Sequence, residues 1–482
     1  MDQNTKQSNI RIGIIGGGVG GATIALQLSK QGANVVLFEK ETSLVNGPPM
    51  CHLHAGGNLY REISDQQCIE LLKQSISTVR LYRDAIDYRP TIVSVPIHDQ
   101  GHPNDVITRL KKLQTEYAKL INTDPENQVL GPASQYFTLF ERQEIENLAQ
   151  LPTPNQPETP EQWMIAFAKN VDLTQLKFPL ILVQEYGISV FRLAAITSLA
   201  LEKSKNCQLL TNTKVTSVTQ DNAKNKWVIE AEREGKKQPF EVDYLINACG
   251  FQTGTIDDMV GLLPKRMVEF KAAYISHWSS HQNNWPEIIF YGARGTKHGM
   301  TQLTPYPNGY FQIHAMTPEV TLFKDGIVSS KSGSAQPQLP TKYLTKINSQ
   351  WDPKIINNRT IKAIGKVAGF IPNFGDASVG GPPMFGAQQI PGVDPTLRVA
   401  DVSFQQNKYA RCEIVKASSA LPAAHTIINN LIEQGLLPSN TAFNSVVSIS
   451  NHLTELEISE RAENLALERN FPQALAGRIC PN

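Results

Sequence analysis

No stretch of the 482 residues comes near the ~20 consecutive apolar side chains that a membrane-spanning helix requires. Excess charge is missing too. The 45 lysines and arginines balance 44 aspartates and glutamates to a net +1, with both signs spread along the chain. That leaves no basic face to argue for nucleic acid and no acidic tail. Cysteine is scarce: Cys51, Cys68, Cys207, Cys249, Cys412 and Cys480 show no CxxC and no regular spacing. A disulfide scaffold is therefore not expected, and reduced thiols are. The polar opening MDQNTKQSN lacks a signal-peptide core, so a cytoplasmic protein is expected. No repeat of solenoid length occurs. The chain does have the length for two interleaved domains, because single cores stop growing near ~250–300 residues. The stretches LPTPNQPETPEQ (151–162) and SSKSGSAQPQLP (329–340) read as surface loops or interdomain crossings.

The strongest positive signal lies in IRIGIIGGGVGGATIALQLSKQGANVVLFEK, residues 10–40. Ile10, Ile12, Ile14 and Ile15 suit a strand buried on both faces of a parallel sheet. Gly16, Gly18 and Gly21 then fit G-x-G-x-x-G: the first allows a tight turn, the second lets backbone approach a pyrophosphate, and the third lets the following helix, roughly 19–31, sit against the strand. Val35–Phe38 read as the second strand, closed by Glu39, a carboxylate that accepts from a ribose diol and repels a 2′-phosphate. A plain adenosine dinucleotide is expected, with Gly16, Gly18, Val19, Gly20, Gly21, Glu39 and Lys40 as its contacts.

After Glu39 the chain does not continue with further βαβ units. It runs through KETSLVNGPPMCHLHAGGNLYREIS and then a helical segment, Asp65–Tyr88, with Ile69, Leu72, Ile76, Val79 and Ile86 on one side. Cys51, His52 and His54 lie within four residues of one another, but a metal site needs three or four ligands of suitable reach and no second Cys/His cluster completes one. No metal is expected.

Here the sequence resembles the D-amino-acid-oxidase-type FAD oxidoreductases, the broad family that includes glycerol-3-phosphate dehydrogenase and 2-hydroxyglutarate oxidase, with malate:quinone oxidoreductase among the relatives. The family's His-(Ala/Gly)-Gly run, which lies beside the isoalloxazine, is matched by His54-Ala55-Gly56. GISVFRLAAITSLALEKSKNCQLLTNTKVTSVTQ (187–220), containing Val215, resembles its helix, strand and turn. EVDYLINACGFQTGTIDDMVG (241–261), containing Ala248 and Gly250, resembles its apolar strand closed by small residues. VAGFIPNFGDASVGGPPMFGAQQIPGVDPTLRVADVSF (367–404) resembles its proline- and glycine-rich segment more faintly.

The resemblance implies an α/β fold: a Rossmann-like FAD-binding domain of the glutathione-reductase type with an interleaved α+β substrate domain on a mixed or antiparallel sheet. Residues 9–84, 186–261 and 362–435 would form the FAD-binding domain, 85–185 and 262–361 the substrate domain, and 436–482 a C-terminal helical extension. FAD is the implied cofactor. A small-molecule substrate gives up hydride from CH–OH or CH–NH, and oxygen, quinone or another carrier reoxidises the flavin. His54 would touch the flavin ring, act as a base or attach the flavin covalently; the alternative is a histidine bonded to backbone in a tight loop.

Negative charge developing on a reduced flavin needs a helix N-terminus or a cation. RCEIVKASSALPAAHTIINNLIEQG (411–435) offers Ser418 or Ser419 as N-cap, with Lys416 nearby. In the substrate half, EFKAAYISHW, EIIFYG, GMTQLTPY and YFQIHAMT alternate as strands of a sheet roofing the ring. Arg294, Lys297 and His298 are candidates to hold a carboxylate or phosphate. His314 is a candidate catalytic residue, and Tyr409 and Arg411 are further candidates. Family amino-acid oxidases clamp the substrate carboxylate with a Leu-Arg-Pro arginine, where this chain reads Phe370-Ile371-Pro372; that favours a hydroxy acid slightly. NDVITRLKKLQTEYAKLIN (104–122) is amphipathic, so it packs on its own core or docks on anionic lipid. The rival readings are a flavin monooxygenase of the aromatic-hydroxylase type, suggested by Gly375-Asp376-Ala377, and a non-catalytic FAD-binding scaffold.

Overall fold

The computed structural model describes residues 10–47, 53, 63–281, 284–349, 351–397, 402–438, 446 and 448–479. Two sheets organise the chain. The first has six strands in the order Val402–Gln406, Tyr409–Cys412, Tyr244–Asn247, Arg11–Ile15, Asn34–Phe38, Cys207–Leu210. All neighbours are parallel except the outermost Val402–Gln406. Helices Val19–Lys30, Val190–Glu202 and Ala420–Glu433 bury their apolar sides on one face of it. A three-stranded meander from Lys214 to Val242 covers the other with Trp227, Ile229 and Phe240.

The larger sheet is mixed and has ten strands. Its centre is Arg266–His277, antiparallel to Tyr310–Ala315 on one side, which continues into Thr301–Pro305, Glu287–Phe290 and Thr91–Pro96. Met384–Pro391 and Ser378–Val379 also pair with Arg266–His277, so residues 378–391 belong to this sheet although the sequence puts them with 362–435. Along Arg266–His277 the side chains alternate. Val268, Phe270, Ala272 and Tyr274 enter the core beneath helix Pro353–Ala368, whereas Ile275 packs into the core of the first sheet. The opposite set, Glu269 and Lys271, therefore looks toward the nucleotide-binding half.

The helix starting at Asp65 ends at Leu81, short of the expected Tyr88. Ile86 leaves the helical face to pair with Ile188 in a two-residue strand, which joins this segment to the entry of helix Val190–Glu202. The amphipathic stretch forms helix Pro103–Thr123, and its buried Val106, Leu110, Leu113 and Tyr117 pack against Leu71, Leu72 and strand residues Val93 and Val95. Its cations are occupied as well: Arg109 donates to the Ile63 carbonyl and Lys112 to Asp65. The apolar side is spent on the protein's own core. No helix among the described residues is long and apolar enough to cross a membrane.

Candidate functional site

The glycine turn is built as its spacing requires. Gly16 has φ +103°, and a Cβ on it would lie 2.5 Å from the Ala248 carbonyl oxygen. A Cβ on Gly21 would lie 1.9 Å from the Gly16 oxygen, which shows how closely the helix start rests on the turn. Gly20 is packed against Cys412 and Ile414, whereas Gly18 has no protein atom within 4 Å of a Cβ position. Gly18 therefore marks the open side. Helix Val19–Lys30 begins there with no side-chain cap and no acid in its first turn, so its leading N–H groups are available to an anion.

Glu39 is buried beside this opening. Its carboxylate accepts from Gly17 N at 2.7 Å and Glu41 N at 2.8 Å. Burial raises its pKa, opposed by those two N–H bonds. A carboxylate has lone pairs for about four bonds, so it can accept a ribose diol in addition. The Glu39 carbonyl also accepts from Thr213 N at 2.8 Å, two residues before Val215, which pairs with Ala231 at the start of the meander. Ala248 donates its N–H to the Ile15 carbonyl and closes the turn from the other side. Gly250 follows with φ +57° and open space around it. Lys40 points to solvent, 3.4 Å from Glu41. This cradle fits the adenosine and pyrophosphate part of a dinucleotide.

A second helix start, without a side-chain cap, supplies the complementary half. Ser419 stands at the N-cap of Ala420–Glu433, but its hydroxyl does not cap. It donates instead to Gln74 Oε1 at 2.7 Å, and Ser418 is buried next to it. The expected Ser cap is thus corrected: the hydroxyl ties two helices together, and a 3₁₀ turn, Ala417–Ser419, leads into the helix and takes the Ala420 N–H on the Ala417 carbonyl. Such an N-terminus suits the negative end of a flavin ring.

Across from it lies the polar face of the larger sheet. Lys271 bridges Glu269 at 3.2 Å and donates to Gln388 Oε1 at 2.6 Å. Gln388 in turn donates to the Val415 carbonyl at 2.8 Å, one residue before Lys416. Arg294 forms an ion pair with Glu269. Burial works against the Glu269 charge, but Lys271 and Arg294 together hold its pKa below the usual value.

His314 shares this face. Tyr306 donates to Gln312 Oε1 at 3.1 Å, which turns the Gln312 amide nitrogen toward His314 Nδ1 at 3.3 Å. With Nδ1 accepting, the hydrogen sits on Nε2. Burial pushes the imidazole down to about 4, Lys271 and Lys416 adding to the effect and Glu287 opposing it. Glu287 is fully buried and held by Arg89 at 3.1 Å, Thr304 at 3.3 Å and Gln302, the residue opposite His314 in the sheet.

A pH dependence follows. An unfolded histidine titrates near 6.5, so between about pH 6.5 and 4 the unfolded chain binds a proton that the folded His314 does not. Stability falls as pH drops through that window. In His314→Gln this contribution is gone, and urea unfolding at about pH 7 and about pH 4.5 is expected to show a smaller loss than in the parent. Equal losses would contradict the neutral, half-buried imidazole.

Of the substrate candidates, only Arg294 joins the cluster. Lys297 and His298 are exposed; Lys297 uses its carbonyl to receive Lys366, and the His298 ring lies 4.3 Å from that of His98. Both fall on the outer side of their turn, away from the polar face. Tyr409 and Arg411 are also withdrawn: both are buried on Asp257, at 2.7 and 3.1 Å. Phe370 stacks on Phe290 in the core of the opposite face, so the missing arginine there carries no information on the substrate. His54, Ala55 and Gly56, with Cys51 and His52, lie outside the described residues. Among the described residues no group of three or more His, Cys, Asp or Glu side chains is placed to hold a metal ion. Lys271, Glu269, Gln312 and Glu287 escaped the sequence reading. Alternation in the strands was visible, but which side met the other sheet was not.

The comparisons agree with this geometry. Residues 11–150 match a family model described as FAD dependent oxidoreductase (DAO). The fold is similar to that of glycine oxidase from Geobacillus kaustophilus (14% identity, 92% of this chain and 100% of that one, TM-score 0.54). It is similar to glycerol-3-phosphate dehydrogenase from Bacillus halodurans, solved with FAD (12%, 97% and 74%, 0.54). L-amino acid deaminase from Proteus vulgaris is a third such structure (10%, 90% and 95%, 0.56). The comparison with curated proteins gives no match.

Proposed function

We propose that this chain, whose residues 11–150 match the DAO-type FAD dependent oxidoreductase model, is an FAD-dependent oxidoreductase that takes a hydride from the CH–OH or CH–NH carbon of a small carboxylate-bearing metabolite. The observation that carries this reading is the polar sheet face, where Lys271, Arg294 and neutral His314 stand opposite the N-terminal end of Ala420–Glu433. Bound FAD supplies the two-electron acceptor.

The residues divide the remaining work. Gly16, Gly18, Gly21 and the start of Val19–Lys30 hold the pyrophosphate, and Glu39 takes the ribose. The positive end of the helix that starts after the Ala417–Ser419 turn faces the ring end where negative charge develops. Lys271 and Arg294, already balanced by one Glu269, leave a net positive charge to draw a carboxylate. His314 donates its Nε2 hydrogen to the same group. In this reading position 314 donates and does not act as the base, because its one in-plane lone pair, on Nδ1, faces the Gln312 amide and its surroundings make the imidazole a weak base. The ground for preferring a hydroxy acid over an amino acid rested on Phe370-Ile371-Pro372 and no longer applies. Structures of similar fold act on amino acids and on glycerol phosphate by their names.

The monooxygenase reading loses support. Gly375-Asp376 lies in a short 3₁₀ turn, Pro372–Asp376, that follows helix Pro353–Ala368, with no strand leading into it.

The test compares an acid substrate with its methyl ester, which keeps the reacting carbon and removes the charge. A kcat/KM at least tenfold lower for the ester is expected. Equal values would remove the carboxylate from the account while leaving the flavin chemistry standing.

A further inference from the structure

The chain segment that leaves Glu39 is held in an unusual way. Val45 has φ +57°, a left-handed backbone that a β-branched side chain rarely adopts. It is nonetheless buried, with Leu44, in the core of the nucleotide-binding half. Val45 donates its N–H to the Gly17 carbonyl at 2.9 Å, and a Cβ on Gly17 would lie 2.5 Å from Leu44 Cδ2. Residues 43–45 thus fold over the glycine turn, on the residue whose N–H is bonded to Glu39. Local sequence does not favour this shape, so something else must impose it.

That constraint comes from the other end of the chain. Helix Glu455–Glu468 opens with a capping box between Thr454 and Glu457 and is fastened to Val190–Glu202 by Arg192–Glu455 at 2.7 Å and Arg461–Glu202 at 2.8 Å. Its C-cap residue is Arg469. The Arg469 guanidinium donates to the Val45 carbonyl at 3.1 Å, the Leu44 carbonyl at 2.7 Å and Ser43 Oγ at 3.0 Å. Burial lowers its pKa to about 10, with the charges of Glu468 and Glu39 opposing. It therefore stays charged at neutral pH, and Glu39 is near enough to feel that charge.

We propose that Arg469 is a positioning residue for the cofactor: from the C-terminal helix it locks residues 43–45 over the glycine turn, and so fixes Gly17 and Glu39 for the adenosine end of FAD. A planar guanidinium spreads its donors over a wide, fixed fork that reaches acceptors on three residues, whereas an ammonium gathers its three donors on one atom and fits them less well. The lock also connects the C-terminal segment to FAD retention, because anything that pulls Glu455–Glu468 away withdraws Arg469 from the turn.

The experiment reads FAD affinity of the apo-protein by fluorescence titration, together with melting of apo- and holo-protein. Arg469→Gln is expected to raise the FAD Kd at least tenfold, and Arg469→Lys to give a smaller rise. Val45→Gly supplies the decisive comparison, since glycine adopts positive φ without steric cost. In the double variant Val45→Gly/Arg469→Gln, the loop no longer depends on the arginine, and the Kd is expected to return to within threefold of the parent. A purely structural arginine would lower both melting temperatures equally and leave Kd unchanged. That result, or simple addition of the two single effects in the double variant, would overturn the proposal. Should Arg469→Gln not fold, Arg469→Lys with Val45→Gly gives the same comparison.

Discussion

Gly21→Ala is expected to yield a protein that retains no FAD and melts below the parent's apo-protein, whereas Gly18→Ala loses FAD and melts like the parent's apo-protein. The two positions lie three residues apart in one motif, but they do different things. A methyl group on Gly21 would meet the Gly16 carbonyl at 1.9 Å, a backbone atom that cannot rotate away. The helix start must leave the strand, and overpacking of this kind costs about 1–3 kcal/mol. On Gly18 the methyl group meets no protein atom within 4 Å. It occupies only the space through which a pyrophosphate approaches backbone N–H groups. Flavin absorbance of the purified variants and their melting curves separate the two outcomes. A Gly18→Ala protein that binds FAD with the parent's affinity would place the dinucleotide elsewhere.

Lys271→Met is expected to lower kcat/KM on an acid substrate by roughly 30-fold or more, the value of about 2 kcal/mol for removing one partner of a buried, hydrogen-bonded charge pair. Methionine keeps the length and apolar stem of lysine. Glu269 keeps its ion pair with Arg294, so the strand and the FAD content should persist. The loss should be much smaller on the methyl ester, because the missing ammonium has no carboxylate to meet there. Steady-state kinetics on the acid and ester pair checks this. An equal loss on both would mean that Lys271 supports the sheet through Gln388 and not the substrate.

What the sequence disclosed depends on how local the determining contacts are. Gly16, Gly18, Gly21 and Glu39 lie within one βαβ unit, and their spacing alone states the turn, the helix and the acid. The alternation in Arg266–His277 was equally visible. Yet whether Lys271 or Ala272 faced the other half depends on pairing with Tyr310–Ala315 and Met384–Pro391, which no local pattern encodes. Lys271 in EFKAAY reads like any solvated lysine. Ser419 looked like a cap because serine before a helix usually is one, and only the approach of Gln74, 345 residues away, turned its hydroxyl aside. Arg469 is the extreme case: it lies 425 residues from Leu44, in a segment that reads as an ordinary C-terminal helix. Basic residues in a turn misled in the opposite sense. Of Arg294, Lys297 and His298, only the first reaches the sheet face, because the turn projects the other two outward.

The central claim, hydride transfer from a metabolite carbon to FAD held in this cradle, is tested most directly by an anaerobic titration. The purified protein's flavin spectrum is recorded while 2-hydroxy acids, 2-amino acids, glycerol phosphate and NADPH are added in turn. The account predicts bleaching by a CH–OH or CH–NH acid at stoichiometric amounts and none by NADPH. Bleaching by NADPH alone, or a colourless protein that cannot be reconstituted with FAD, would contradict it.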